Sequence, residues 1–86
     1  VLIISVDTYN RGPSGLALIV PITSTRRGVL YHVNIDAPEG GLSNPSAALC
    51  DAIRSISRER LGRRLGKVAA STMASVEQRL KILQGL

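Results

Sequence analysis

Thr23, Ser24 and Thr25 stand beside Arg26 and Arg27, directly after the apolar run Leu18-Ile19-Val20-Pro21-Ile22. Three hydroxyls and two guanidinium groups in succession suit a phosphate. The fork of arginine donors matches phosphate oxygens, and hydroxyls add hydrogen bonds beside it. A buried strand fixes the backbone, so its end can hold these side chains in a set geometry. The same pattern also describes a strand leaving the core for a solvated loop, and the segment by itself favours that plainer reading.

A second polar pair, Asp51 and Arg54, lies within the apolar run 47–56. It reads as an ion pair or as two solvated positions on an amphipathic element; the functional alternative is a polar pair at the rim of a groove. Metal chemistry has no support. His32 is the lone histidine, and Cys50 has no Cys or His at ligand spacing. His32 is therefore expected to be a satisfied structural residue, and no metal or cofactor is expected. Gly12 and Gly15 are too few for a glycine-rich phosphate loop. A Ser/His/Asp set cannot be assembled from one histidine. Any catalysis must rest on Arg, Thr, Ser and carboxylates.

The elements that position these groups belong to one small domain of 86 residues, marginal in buried area and helped by dimerisation. There is no Trp or Phe, so the core must be aliphatic. Two Tyr are too few for an aromatic platform that stacks bases. The net charge is +5, from eleven Lys and Arg against six Asp and Glu, and nine of the eleven are Arg. That bias points to phosphate or carboxylate partners, nucleic acid or an acidic protein. A single cysteine excludes an intramolecular disulfide and fits a reducing, cytoplasmic location. No apolar run is long enough for a membrane span, and no signal-peptide pattern is visible. The chain opens inside an apolar strand pattern without a Met, so the natural protein is expected to have residues before Val1.

Residues 1–6 read as a buried strand, 7–15 as a loop of turn formers, and 16–22 as a second strand. Pro21 there implies an edge or a bulge, because proline cannot donate to the ladder. Val29, Tyr31, Val33 and Ile35 alternate with Leu30, His32 and Asn34 and predict a third strand with one apolar face. Residues 46–56 are ambiguous. Asn44 and Pro45 resemble a helix cap and first position, and Leu49, Ile53 and Ile56 keep helical spacing, although alternation also fits. Ser57 caps a single turn ended by Gly62, and 65–68 suits a short strand. The last element is a helix from a Ser71 cap through Gln84, ended by Gly85, with Met73, Val76, Leu80 and Leu83 as its apolar stripe.

Taken in order, several segments resemble the MazF/PemK family of toxin ribonucleases. They are Val1-Leu2-Ile3-Ile4-Ser5 followed by Asp7 and Tyr9-Asn10-Arg11, then Val20-Pro21-Ile22-Thr23-Ser24 and Gly41-Leu42. Ser46-Ala47-Ala48-Leu49-Cys50-Asp51-Ala52-Ile53-Arg54-Ser55-Ile56 and Leu65-Gly66-Lys67-Val68 complete the set. Each motif is weak alone; their order and spacing across nearly the whole chain make the combination specific. The resemblance implies a mixed β and α fold, a small SH3-like β-barrel with a C-terminal helix, and makes 47–56 a strand. It implies a homodimer, an antitoxin partner, and metal-independent cleavage of single-stranded RNA at short sequences. In that chemistry the ribose 2′-hydroxyl attacks the adjacent phosphate and leaves a cyclic phosphate and a 5′-hydroxyl.

The family's active-site threonine falls on Thr23, which is assigned to hydrogen-bonding the scissile phosphate. Ser24, Thr25, Arg26 and Arg27 would line the adjoining RNA path. Asp51 matches an acidic position that can face RNA bases. Arg54 matches a recurrent family arginine and is counted with the RNA-binding set, a structural role being its alternative. Ala52 stands where some relatives have Gln, so amide readout there is lost. The family's key arginine belongs to an Arg-Pro pair just before the strand that begins here at Val1. Residues 1–86 are therefore expected to be a single family domain without its N-terminal strand and loop, and inactive or nearly so in isolation. The competing expectation is a non-catalytic module on the same fold that blocks a protein target or binds RNA without cutting it.

Overall fold

The computed structural model describes residues 1–5, 11–62 and 64–85. Asp7, Tyr9 and Asn10, which carry part of the family resemblance, lie outside the described residues. Among the described residues, six short strands and one α-helix follow in chain order. They are β1 (Leu2–Ile3), β2 (Leu16–Val20), β3 (Ile22–Thr23), β4 (His32–Ile35), β5 (Ser46–Leu49), β6 (Arg54–Ser57) and α1 (Ala70–Gln84). The strands form two antiparallel three-stranded sheets, ordered β1-β2-β6 and β3-β5-β4. This is the expected mixed-β architecture with a C-terminal helix; among the described residues the two sheets do not close into one continuous ladder.

Two crossings carry the chain between the sheets. The first is at Pro21, where the run 16–22 breaks into β2 in one sheet and β3 in the other. Proline has no N–H to continue the ladder, while its carbonyl still accepts from the Leu49 N–H at 2.8 Å. The second is the 3-10 turn Cys50–Ala52, which returns the chain from β5 to β6. The helical reading of 46–56 is thus overturned, and the strand that the resemblance implied is split by this turn. Ser46–Leu49 pairs with β3 on one side and β4 on the other, so each edge of its backbone meets a partner that an isolated segment lacks.

Glu39 sets the start of the helix. Its Oε2 accepts from the Ala69 N–H at 3.0 Å and from the Thr72 hydroxyl. A carboxylate at a helix N-terminus satisfies free donors and complements the helix dipole. The helix begins at Ala70 with Ala69 as its cap, and no local side chain caps it. Ser71 therefore lies inside the first turn, because Glu39 has taken the role expected of it. Gly85 ends the helix in the left-handed conformation, φ 75°, as expected. Residues 65–68 form no strand. They run past the 3-10 turn Glu39–Gly41 instead: a Cβ on Gly41 would collide with the Leu65 carbonyl, and one on Gly66 would lie 2.8 Å from the Gly40 carbonyl carbon.

The core lies where the two sheets meet the helix. Val20, Ile35, Ala48, Cys50 and Val76 are fully buried, with Leu2 and Val33 beside them. Met73 and Leu80 pack against this cluster, whereas Leu83, the last position of the helical stripe, is exposed. Among the described residues no helix is long and apolar enough to cross a membrane.

Candidate active site

Thr23 is the last residue of β3, paired in register with Ala47 at the centre of the second sheet. Its Oγ1 accepts from the Thr25 N–H at 3.1 Å. That bond closes a tight turn after the strand and fixes the hydroxyl, whose proton remains a donor. The turn directs Thr25 and Arg27 toward a cleft of about 520 Å³ lined also by Thr23, Val29, His32, Leu49, Asp51 and Ala52. The walls come from the loop after β3, from β4, and from the 3-10 turn that leaves β5.

Of the site residues expected from sequence, Thr23, Thr25, Arg27 and Asp51 meet in this cleft. Ser24 is exposed and outside its lining. Arg54 is exposed on β6, opposite Ile19 in the other sheet, and is also outside it. Arg26 points elsewhere. Its Nε donates to the Ser46 carbonyl at 3.0 Å, and its Nη2 donates to the Ile35 carbonyl at 3.0 Å and to Asp36 Oδ1 at 2.6 Å. These three bonds to the ends of β4 and β5 make Arg26 a structural tie between the post-β3 loop and the sheet.

His32 is the residue that sequence reasoning placed outside the chemistry. It is on β4, in register with Leu49, and its Nε2 lies 3.2 Å from Asp51 Oδ1. Its side chain is only 11% exposed, against 45% for Asp51. The available signal was alternation: Val33 and Ile35 face the core, so His32 and Asn34 belong to the opposite face of the strand. Cys50, next to Asp51, is fully buried. Burial pushes its thiol above the ordinary value of 9.0, and nearby Asp51 adds to the rise while Arg79 opposes it. It is a core residue and not a nucleophile at neutral pH. Among the described residues no three His, Cys, Asp or Glu cluster as metal ligands.

The cleft thus sets hydroxyl donors and a guanidinium beside one carboxylate, a combination suited to a phosphodiester. Residues 1–84 match the family model of the PemK-like, MazF-like toxin of type II toxin-antitoxin systems. The chain belongs to this family. Its relatives include endoribonuclease MazF9 of Mycobacterium tuberculosis, 36% identical over 76 residues, which are 87% of this chain and 64% of that protein. The chain therefore spans just under two thirds of that relative's length. Among solved structures, Mycobacterium tuberculosis toxin MazF-mt6 superposes with a TM-score of 0.85 at 30% identity, over 99% of this chain and 84% of that one. MazE-MazF from Deinococcus radiodurans gives 0.84 at 32% identity, over 98% and 82%. Family and fold both agree with the resemblance carried by the sequence motifs.

Proposed function

We propose that this chain is the toxin of a toxin-antitoxin pair and a sequence-specific, metal-independent endoribonuclease acting on single-stranded RNA. The observation that carries this reading is the meeting of Thr23, Thr25, Arg27 and Asp51 in one cleft. The relative MazF9 is named an endoribonuclease, and the Deinococcus radiodurans structure pairs MazF with MazE. These support an RNA substrate and a cognate antitoxin for this chain. A homodimer and a cytoplasmic location complete the proposal.

In the proposed reaction the RNA supplies its own nucleophile, the ribose 2′-hydroxyl. Thr23 is the catalytic residue: its O–H donates to a non-bridging oxygen of the scissile phosphate. Arg27 offsets the charge that builds on that phosphate, and Thr25 hydrogen-bonds the adjoining backbone. Ser24 and Arg54 contribute to the RNA path only at its margins, since neither lines the cleft, and Arg26 serves as the structural tie of the loop.

The test is cleavage of a defined single-stranded RNA, with EDTA present, by the protein expressed from its own start codon, beside Thr23→Ala. Cutting is expected to survive EDTA and to fall on the order of a hundredfold or more in the variant. Absence of cutting on a sequence-diverse RNA would overturn the reading in favour of a non-catalytic binding module.

A further inference from the structure

We infer that His32 is a positioning residue of this site, holding the Asp51 carboxylate so that its second oxygen faces the cleft as the proton acceptor for the ribose 2′-hydroxyl. The inference rests on the ribonuclease reading above.

Cleaving RNA through its 2′-hydroxyl requires a group that takes the proton as the 2′-oxygen bonds to phosphorus. The cleft contains few such groups among the described residues. Arg27 stays protonated, and the hydroxyls of Thr23 and Thr25 are not bases. His32 and Asp51 remain. His32 is unsuited to meet substrate directly. Its Nε2 is engaged with Asp51 Oδ1 at 3.2 Å, and its Nδ1 is buried in protein with no hydrogen-bond partner among the described residues. Asp51 has the opposite character: its side chain is 45% exposed, it lines the cleft, and only Oδ1 is occupied by His32.

The direction of the hydrogen bond follows from the acceptor. An ionised carboxylate can only accept, so His32 Nε2 carries the proton and donates it to Oδ1. That hydrogen bond is the one polar connection the buried ring makes among the described residues, and it is to Asp51. Asp51 itself sits in a short 3-10 turn between the two sheets. His32 is anchored in β4 by its pairing with Leu49, so its hydrogen bond ties the Asp51 carboxylate to the sheet.

The step balances without another reactant. Asp51 Oδ2 takes the 2′ proton, the 2′-oxygen bonds to phosphorus, and the bond from phosphorus to the 5′-oxygen breaks. The 5′-oxygen takes a proton from water while Asp51 returns one to water. The products are a cyclic phosphate and a 5′-hydroxyl.

The experiment compares wild type, His32→Ala, His32→Gln, Asp51→Asn and His32→Ala/Asp51→Asn, each expressed from the protein's own start codon, in single-turnover cleavage of the same RNA. Affinity is measured separately with that RNA carrying a 2′-deoxy nucleotide at the cut position, and folding by circular dichroism melts. Asp51→Asn is expected to slow cleavage by on the order of 10²–10⁴-fold. His32→Ala should slow it by roughly 10–100-fold, the range seen when a group that orients a reacting residue is lost. Affinity for the 2′-deoxy RNA should stay unchanged. His32→Gln should recover most of the rate, since its amide N–H can reach the same oxygen. On the Asp51→Asn background, His32→Ala should add nothing. If His32→Ala unfolds, His32→Gln and the nitrogen-15 signals of the wild-type imidazole carry the test. Those signals must show a proton on Nε2. Wild-type rates in both folded His32 variants, a loss residing wholly in affinity, a loss fully additive with Asp51→Asn, or a bare Nε2 each overturns the role of His32 alone. A wild type that cuts no RNA overturns the ribonuclease reading and this role with it.

Discussion

Arg26 and Arg27 are chemically identical neighbours with different duties. Arg27 lines the cleft, and Arg26 is spent on two carbonyls and Asp36 at the ends of β4 and β5. Composition marks both as phosphate ligands; only the pairing of the loop against the sheet separates them. Cys50 shows the same dependence on surroundings. Its thiol lies in the core, with its ionisation pushed above 9.0 by burial. In the unfolded chain the thiol ionises near its ordinary value, while the folded protein retains the proton. Stability therefore declines as pH rises past 9.0, by up to about 1.4 kcal/mol per pH unit between the unfolded and folded values. Below that pH the thiol is neutral in both states and contributes no dependence. Iodoacetamide at neutral pH is expected to modify Cys50 slowly in buffer and rapidly in urea. Equal rates in the two would show that the thiol is not enclosed.

At the scale of elements, Glu39 joins the loop after β4 to the start of α1. Its carboxylate meets the Ala69 N–H and the Thr72 hydroxyl, which lie 30 and 33 residues further along the chain. Helix caps are usually read from the residue just before the helix, so this one was not legible locally, and Ser71 stood in its place. The apolar stripe and the Gly85 stop were legible, because both follow from the helix's own geometry. Glu39→Ala is expected to destabilise the fold by about 1–2 kcal/mol, the range for loss of a cap together with its charge. Urea denaturation should show a lower midpoint with an unchanged slope. A midpoint equal to wild type would mean that solvent replaces the carboxylate without loss.

At the scale of the whole molecule, 86 residues enclose a small aliphatic core and leave large apolar side chains outside it. Val1, Leu30 and Leu65 are each 60% exposed or more, and Ile3, Val29, Ile53 and Ile82 are exposed as well. A domain of this size buries a modest fraction of its chain, and covering such side chains adds to it. This supports the proposed homodimer. Sedimentation equilibrium at micromolar concentration is expected to return the mass of two chains, and a single-chain mass would contradict it.

What the sequence determined by itself is what short stretches of chain decide. Pro21 ends β2 because it lacks an N–H, and Gly85 ends α1 because it reaches positive φ without strain. The ordered motifs identified the family, and hydroxyls and arginines clustered after a strand marked the loop proposed as the phosphate site. The tertiary structure decided what depends on distant partners. Residues 46–49 satisfy either a helical or an alternating pattern, and strands on both sides settle them as β5. His32 and Asp51 are 19 residues apart, and no local pattern links them. They meet because β4 pairs with β5 in a register that sets His32 opposite Leu49, two residues before Asp51. Register is a property of two strands together, and that is why the lone histidine entered the site only once the sheet was known.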